Sequence, residues 1–265
     1  MRAAPTITAV ATTLYVIPGS HPSWKARLAL ELKGIEYRRV DLMPVISRGV
    51  VRALRFGGAT VPALKIDGRR VQGSREIARE LDRLVPDPPL YPGDPNLRAE
   101  VEAAERWGEK ELQPVARRVV WNAFRRDRSA LASFARGARL GIPVGIAVRT
   151  SAPIVALSVR IHAASDDHVR ADLAALPGML NRIDDWIADG VLGDPDPNAA
   201  DLQIATSIRL LMTLDDVRPA VESRPCGELA LRIVSEFPGR IPPLLPEAWL
   251  RPLNDSTAVR GRGAR

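Results

Sequence analysis

A chain of 265 residues with 46% hydrophobic side chains can bury one large core or two ordinary ones. Its charge of +7 points towards acidic partners, yet the arginines are dispersed through helical stretches and a basic tail, and the 5% aromatic residues never interleave with them as a nucleic-acid groove requires. Nucleic acid is therefore not an expected partner. Cys226 is the single cysteine, which excludes an intrachain disulfide and makes the cytoplasm the expected compartment.

In chain order, Pro5 and scattered threonines interrupt any continuous apolar leader core, and TLYVI within Thr12–Ile17 predicts a first strand. A Gly-Ser-His-Pro-Ser cluster follows, opening a helix over Pro22–Lys33 with Trp24, Leu28 and Leu32 on one face and Gly34 as its stop. A strand end facing a helix start is a place where N–H groups and hydroxyls converge on an anion. Ile35–Leu42 predicts a second strand, parallel to the first through a right-handed crossover, and Pro44–Phe56 a helix broken by Gly57-Gly58. Ala63–Ile66 and Arg70–Gln72 flank Asp67-Gly68, a dipeptide suited to a tight hairpin. Ser74 is then expected to cap a third helix, SREIARELDRLV.

Residues 86–95, PDPPLYPGDP, form a stiff proline-rich linker. Strand signals fade beyond it, so a domain spanning 12–85 is expected to give way to an all-helical one over 96–253, with a disordered basic tail at 254–265. Residues 97–126 predict a long helix or a broken pair. The segment 166–190 predicts a helix bent near Pro177, and NAADLQIATSIRLLMTL one opened by a reciprocal Asn198/Asp201 capping box.

This order of elements is that of a thioredoxin-like α/β domain followed by an all-α domain. On GSHPSWKARLALELKG, TVPAL, GSREIARELD and NAADLQIA the chain resembles the glutathione transferase superfamily, nearest in motif to zeta and omega members. The resemblance implies an enzyme that conjugates or isomerises an apolar electrophile through glutathione or another low-molecular-weight thiol held as thiolate. It places Ser20 on the catalytic Ser or Cys; Ser23, in reserve, is alternatively a helix cap, and His21 between them is a candidate auxiliary. Val61 and Pro62 fall on the backbone clamp, where the family has a cis proline, and Ser74 on the γ-glutamyl carboxylate site beside Arg75. It also implies a homodimer. One departure stands out: Gly73 occupies the place of the family's acidic or amide residue before that serine, which predicts weak glutathione binding, a different thiol, or a non-catalytic binding protein.

The apolar run 140–161 has the length of a membrane span, but Arg149, two prolines and two glycines argue against one. A buried helical hairpin or a lid over the acceptor pocket is expected. Peripheral contact with anionic lipid through residues 117–161 is the alternative, a membrane-associated transferase-like protein. His162, His168, Asp166 and Asp167 lack the spacing of a metal site, and no metal cofactor is expected.

Overall fold

The computed structural model describes residues 12–263, with side chains through residue 256. The leader reading for residues 1–11 lies outside the described residues, as do the last two residues of the basic tail.

Four strands form one sheet in the order β2-β1-β3-β4: β1 (Thr13–Val16), β2 (Arg38–Asp41), β3 (Ala63–Ile66) and β4 (Arg69–Gln72). β1 runs parallel to β2, with Leu14 opposite Arg39, and antiparallel to β3, with Leu14 opposite Leu64. Helix α1 (His21–Leu32) makes the crossover between β1 and β2, α2 (Ile46–Ala53) follows, and α3 (Ser74–Leu84) packs back onto the sheet. This is the expected thioredoxin-like module.

Local chemistry explains most boundaries. Gly34, at φ +62°, ends α1 with two reciprocal bonds, Gly34 N–H to Glu31 O at 3.1 Å and Ile35 N–H to Leu30 O at 3.0 Å. Ile35 is thereby used in the helix stop and buried beside Leu30, so β2 starts at Arg38 rather than at the expected residue 35. Asp67 and Gly68 both have left-handed φ (46° and 79°), as a type I′ hairpin requires. Helix α2 is shorter than Pro44–Phe56 because Val45 (φ 71°) and Arg55 (φ 60°) both leave helical space.

After the proline stretch come α4 (Pro95–Trp107), a π-helical turn at Gly108–Leu112 and α5 (Gln113–Arg126), so the predicted long helix is one rod with a single wide turn. Asp94 starts it, its carboxylate accepting from Asn96 N–H and Leu97 N–H. Three short helices follow: α6 (Leu131–Phe134), α7 (Val144–Arg149) and α8 (Ala152–Ile161). Helix α9 (Asp166–Ala188) carries Pro177 inside it, and α10 (Ala199–Leu211) opens with the predicted Asn198/Asp201 box. The chain continues through α11 (Arg218–Glu222), α12 (Pro225–Ile233) and α13 (Glu247–Gly263). Helix α13 covers most of the segment expected to be a disordered tail: Leu250 and Leu253 are buried in the helical core and anchor it.

Helix α10 is buried along its whole length and joins the two cores. Ile204 and Ile208 belong to the helical cluster, whereas Ala199 and Leu202 pack with Leu14, Leu30 and Ile77 on the sheet side. A buried polar knot also ties the halves together. Lys25 on α1 donates to Glu105 at 2.7 Å and to Gln203 at 3.0 Å, and Tyr91 Oη–H donates to Glu105 at 3.0 Å.

Candidate functional site: a cavity at the start of the first helix

The chain leaves β1 through Ile17-Pro18-Gly19 and turns sharply, Ser20 N–H returning to Ile17 O at 2.9 Å while Trp24 Nε1–H holds Pro18 O at 2.9 Å. Ser20 is the N-cap of α1 in position, with extended backbone, yet its side chain makes no capping bond. Its hydroxyl has no hydrogen-bond partner among the described residues and is half-buried, beside the N–H groups that a first helical turn leaves unpaired. It faces a cavity of about 310 Å³ that Val61 also lines.

The Val61-Pro62 peptide is cis, and Pro62 O accepts from Gly73 N–H at 3.0 Å. The residue that starts α3 is thus bonded directly to the cis proline, while Ser20 and Val61 line the same cavity. Ser74 does not cap α3. Gly73, at φ +95°, holds the cap position, and Ser74 is the first helical residue, 4% exposed, its hydroxyl making no hydrogen bond to another described residue.

Two sequence-predicted site residues are engaged elsewhere. Arg75 turns to the helical half, its guanidinium 3.3 Å from Glu105 and 3.9 Å from Glu109, so it does not present itself to a ligand carboxylate. Ser23 is 1% exposed and accepts from Ile17 N–H at 3.4 Å, which fixes the strand end rather than facing the cavity.

His21 is 2% exposed and lines the cavity, and neither of its ring nitrogens has a hydrogen-bond partner. Burial, with Arg117 and His162 nearby, holds its pKa well below the usual 6.5, so the ring is neutral at pH 7. His162 also lines the cavity and is lowered to about 4, by burial first and then by Arg117 and Arg48.

Two residues escaped the sequence reading. In the sequence Arg117 is one of the arginines dispersed through the helical stretches, but it alone among the arginines of α5 lines the cavity, and no described residue pairs with it. Glu76 swings back over Gly73 so far that a side chain at position 73 would collide with its carboxylate. The Gly-x-x-Glu spacing was its only sequence signal. The apolar run 140–161 supplies the cavity wall: Ala147 and Val148 of α7 and Ile154, Val155 and Ser158 of α8 line it. Among the described residues no helix is long and apolar enough to cross a membrane.

Comparison with known proteins agrees with this architecture. Residues 14–89 match the family model for the glutathione S-transferase N-terminal domain. Maleylacetoacetate isomerase of Rattus norvegicus is 36% identical over 106 residues, 38% of this chain and 49% of that protein. A probable maleylacetoacetate isomerase of Caenorhabditis elegans is 34% identical over 104 residues, 38% of this chain and 48% of that protein. The chain thus spans about half the length of the curated relatives it matches. Among solved structures, the β-etherase LigF of Sphingobium sp. strain SYK-6 superposes with a TM-score of 0.56 at 18% identity, covering 84% of this chain and 99% of that one. A glutathione S-transferase of Rhodospirillum rubrum F11 gives 0.53 at 21% identity, covering 91% and 99%. At these identities the structural likeness speaks for the fold. Residues 14–89 thus match a glutathione S-transferase N-terminal domain, and the solved structures extend that likeness, as fold alone, to the helical half of the chain.

Proposed function

We propose that this protein binds glutathione, or a related low-molecular-weight thiol, as a thiolate and uses it to conjugate or isomerise an electrophile. The observation that carries the reading is the Ser20 hydroxyl: without a hydrogen-bond partner among the described residues, at a helix start, and sharing a cavity with Val61 beside the cis proline. A cysteine-like thiol has a pKa of about 8.5, and lowering it by about two units needs roughly 2.7 kcal/mol. A hydrogen bond to a charged acceptor contributes about 1.5–3 kcal/mol and a helix N-terminus roughly 0.3–1. The serine and the helix start suffice.

In this reading Ser74 and the N–H groups of α3 hold the γ-glutamyl carboxylate. Arg75 is left out, because it is paired with Glu105. Glu76 accepts from the γ-glutamyl ammonium, the task the family gives to the residue that is Gly73 here. This removes the main support for a non-catalytic binding protein. The matched relatives are named as isomerases, which supports isomerisation beside conjugation. A homodimeric, cytoplasmic protein accords with the family resemblance.

The test is turnover of a chloronitroaromatic, in which the thiolate forms the S–C bond and chloride departs. Ser20→Ala is expected to lower kcat/KM by about 10- to 100-fold, one lost charge-assisted bond, and to raise the kinetic pKa of the bound thiol. An unchanged rate removes Ser20 from the mechanism. Absence of turnover with glutathione, mycothiol and bacillithiol overturns the reading.

A further inference from the structure

Among the described residues, the charged side chains that line the cavity are Arg48 and Arg117, and no aspartate or glutamate does. Arg48 is solvent-exposed at the mouth, whereas Arg117 lies deeper, on the same wall as Val120, Trp121 and Phe124. The neighbouring arginine shows what is unusual: Arg118 grips Asp172 with two bonds of 2.6 Å, and Arg117 has no acidic partner among the described residues. Beside it stands His21, almost fully buried with both ring nitrogens unsatisfied. Buried polar atoms in folded proteins are nearly always partnered, and a guanidinium in an apolar wall is costly unless something neutralises it. A ligand that brings an anion satisfies both groups at once.

The remainder of the cavity is apolar, with Phe124, Phe134, Val148 and Ile154 in its walls. Ile161, also a lining residue, is 40% exposed, and Ile46 and Ile146 are 50% and 54% exposed, each next in sequence to a lining residue. The apolar character thus continues to the opening. We propose that the acceptor site takes an amphiphilic carboxylate, an acid with a bulky aryl or alkyl body, whose anion sits between the Arg117 guanidinium and a ring N–H of His21. This rests on the transferase reading only in calling the ligand an acceptor. The seat itself is a binding claim. It makes Arg117 a specificity-determining residue.

Binding without turnover tests it. Titration calorimetry at pH 7.5 compares biphenyl-4-carboxylate with the neutral biphenyl-4-methanol, each with and without saturating glutathione. The acid is expected to bind at least about 10-fold tighter, as one charge-assisted contact implies. Arg117→Leu is expected to bring the two affinities within about 2-fold of each other, with Arg117→Lys retaining part of the preference. His21→Phe is expected to weaken the acid several-fold and to leave the alcohol unaffected, which keeps the claim testable should Arg117→Leu not fold. Equal affinities in the wild type, failure of both compounds to bind, or a preference that survives Arg117→Leu overturns the seat. So does displacement of the acid by glutathione, because Arg117 would then hold the thiol's own carboxylate. A protein that shows the preference yet turns nothing over loses only the transferase reading; one that turns over the chloronitroaromatic without the preference loses only the seat.

Discussion

Glycine stands at position 73 where a family resemblance calls for an acid, and its φ of +95° shows that the backbone there suits glycine. The Glu76 carboxylate, three residues downstream, occupies the space a side chain at position 73 would enter. If Glu76 receives the γ-glutamyl ammonium, the contact is the same in the ground and transition states and governs KM rather than kcat. Glu76→Gln is therefore expected to raise KM for glutathione by about 5- to 10-fold, the loss of one charge-assisted bond at an exposed site, with kcat nearly unchanged. N-acetylglutathione provides the control. Its blocked amine is expected to make it a poor ligand of the wild type and to erase the difference between wild type and variant. Equal KM values for both thiols in the wild type would remove Glu76 from recognition.

At the scale of the elements, the start of α10 is where sequence and structure agree most closely. Asn198 accepts from Ala200 N–H and Asp201 N–H at 2.9 and 3.1 Å and donates to Val191 O at 2.9 Å, while Asp201 accepts from Asn198 N–H at 3.0 Å. Because α10 is buried throughout and contributes to both cores, Asn198→Ala is expected to cost about 1–2 kcal/mol of global stability, read as a lower urea midpoint with an unchanged slope. The capping box, the Asp67-Gly68 hairpin and the Gly34 stop were legible because each is decided by backbone chemistry within a few residues. The ends of α2 were not, since Val45 and Arg55 adopt left-handed φ in a sequence with no glycine there to announce it. Helix α13 was missed for a different reason: Leu250 and Leu253 are anchored by distant parts of the chain. The site shows the same division. The loop ending in Ser20 could be read from local pattern, whereas the Val61-Pro62 pair was singled out by the family resemblance. Arg117 and Arg118 are indistinguishable by composition; in the fold Arg118 pairs with Asp172 and Arg117 lines the cavity.

Over the whole molecule, the cavity has one wall from the sheet half, at Ser20 and Val61, and another from α5 and α8, so its shape depends on how the halves are docked. Beside α10, which packs into both cores, the knot around Glu105 contributes to that docking. Lys25 and Glu105 both have fully buried side chains; burial pulls the Lys25 ammonium below its usual pKa against the pull of Glu105, and raises that of Tyr91. A buried pair adds little net stability over an apolar pair, but stranding one member of it is expensive, about 3–5 kcal/mol. The two partners are not equivalent. Lys25→Met leaves Glu105 with Arg75 at 3.3 Å and the Tyr91 hydroxyl, whereas Glu105→Leu leaves the Lys25 ammonium with only the Gln203 amide oxygen and also removes the acceptor of Tyr91. Glu105→Leu is therefore expected to be the more destabilising substitution, by about 3–5 kcal/mol, with Lys25→Met costing clearly less and the double variant recovering most of the loss. Urea unfolding of the four proteins closes the cycle. Additive losses would mean that the pair does not couple the two halves, and a rate of thiol transfer that falls in parallel with the coupling energy would show that docking of the halves assembles the site.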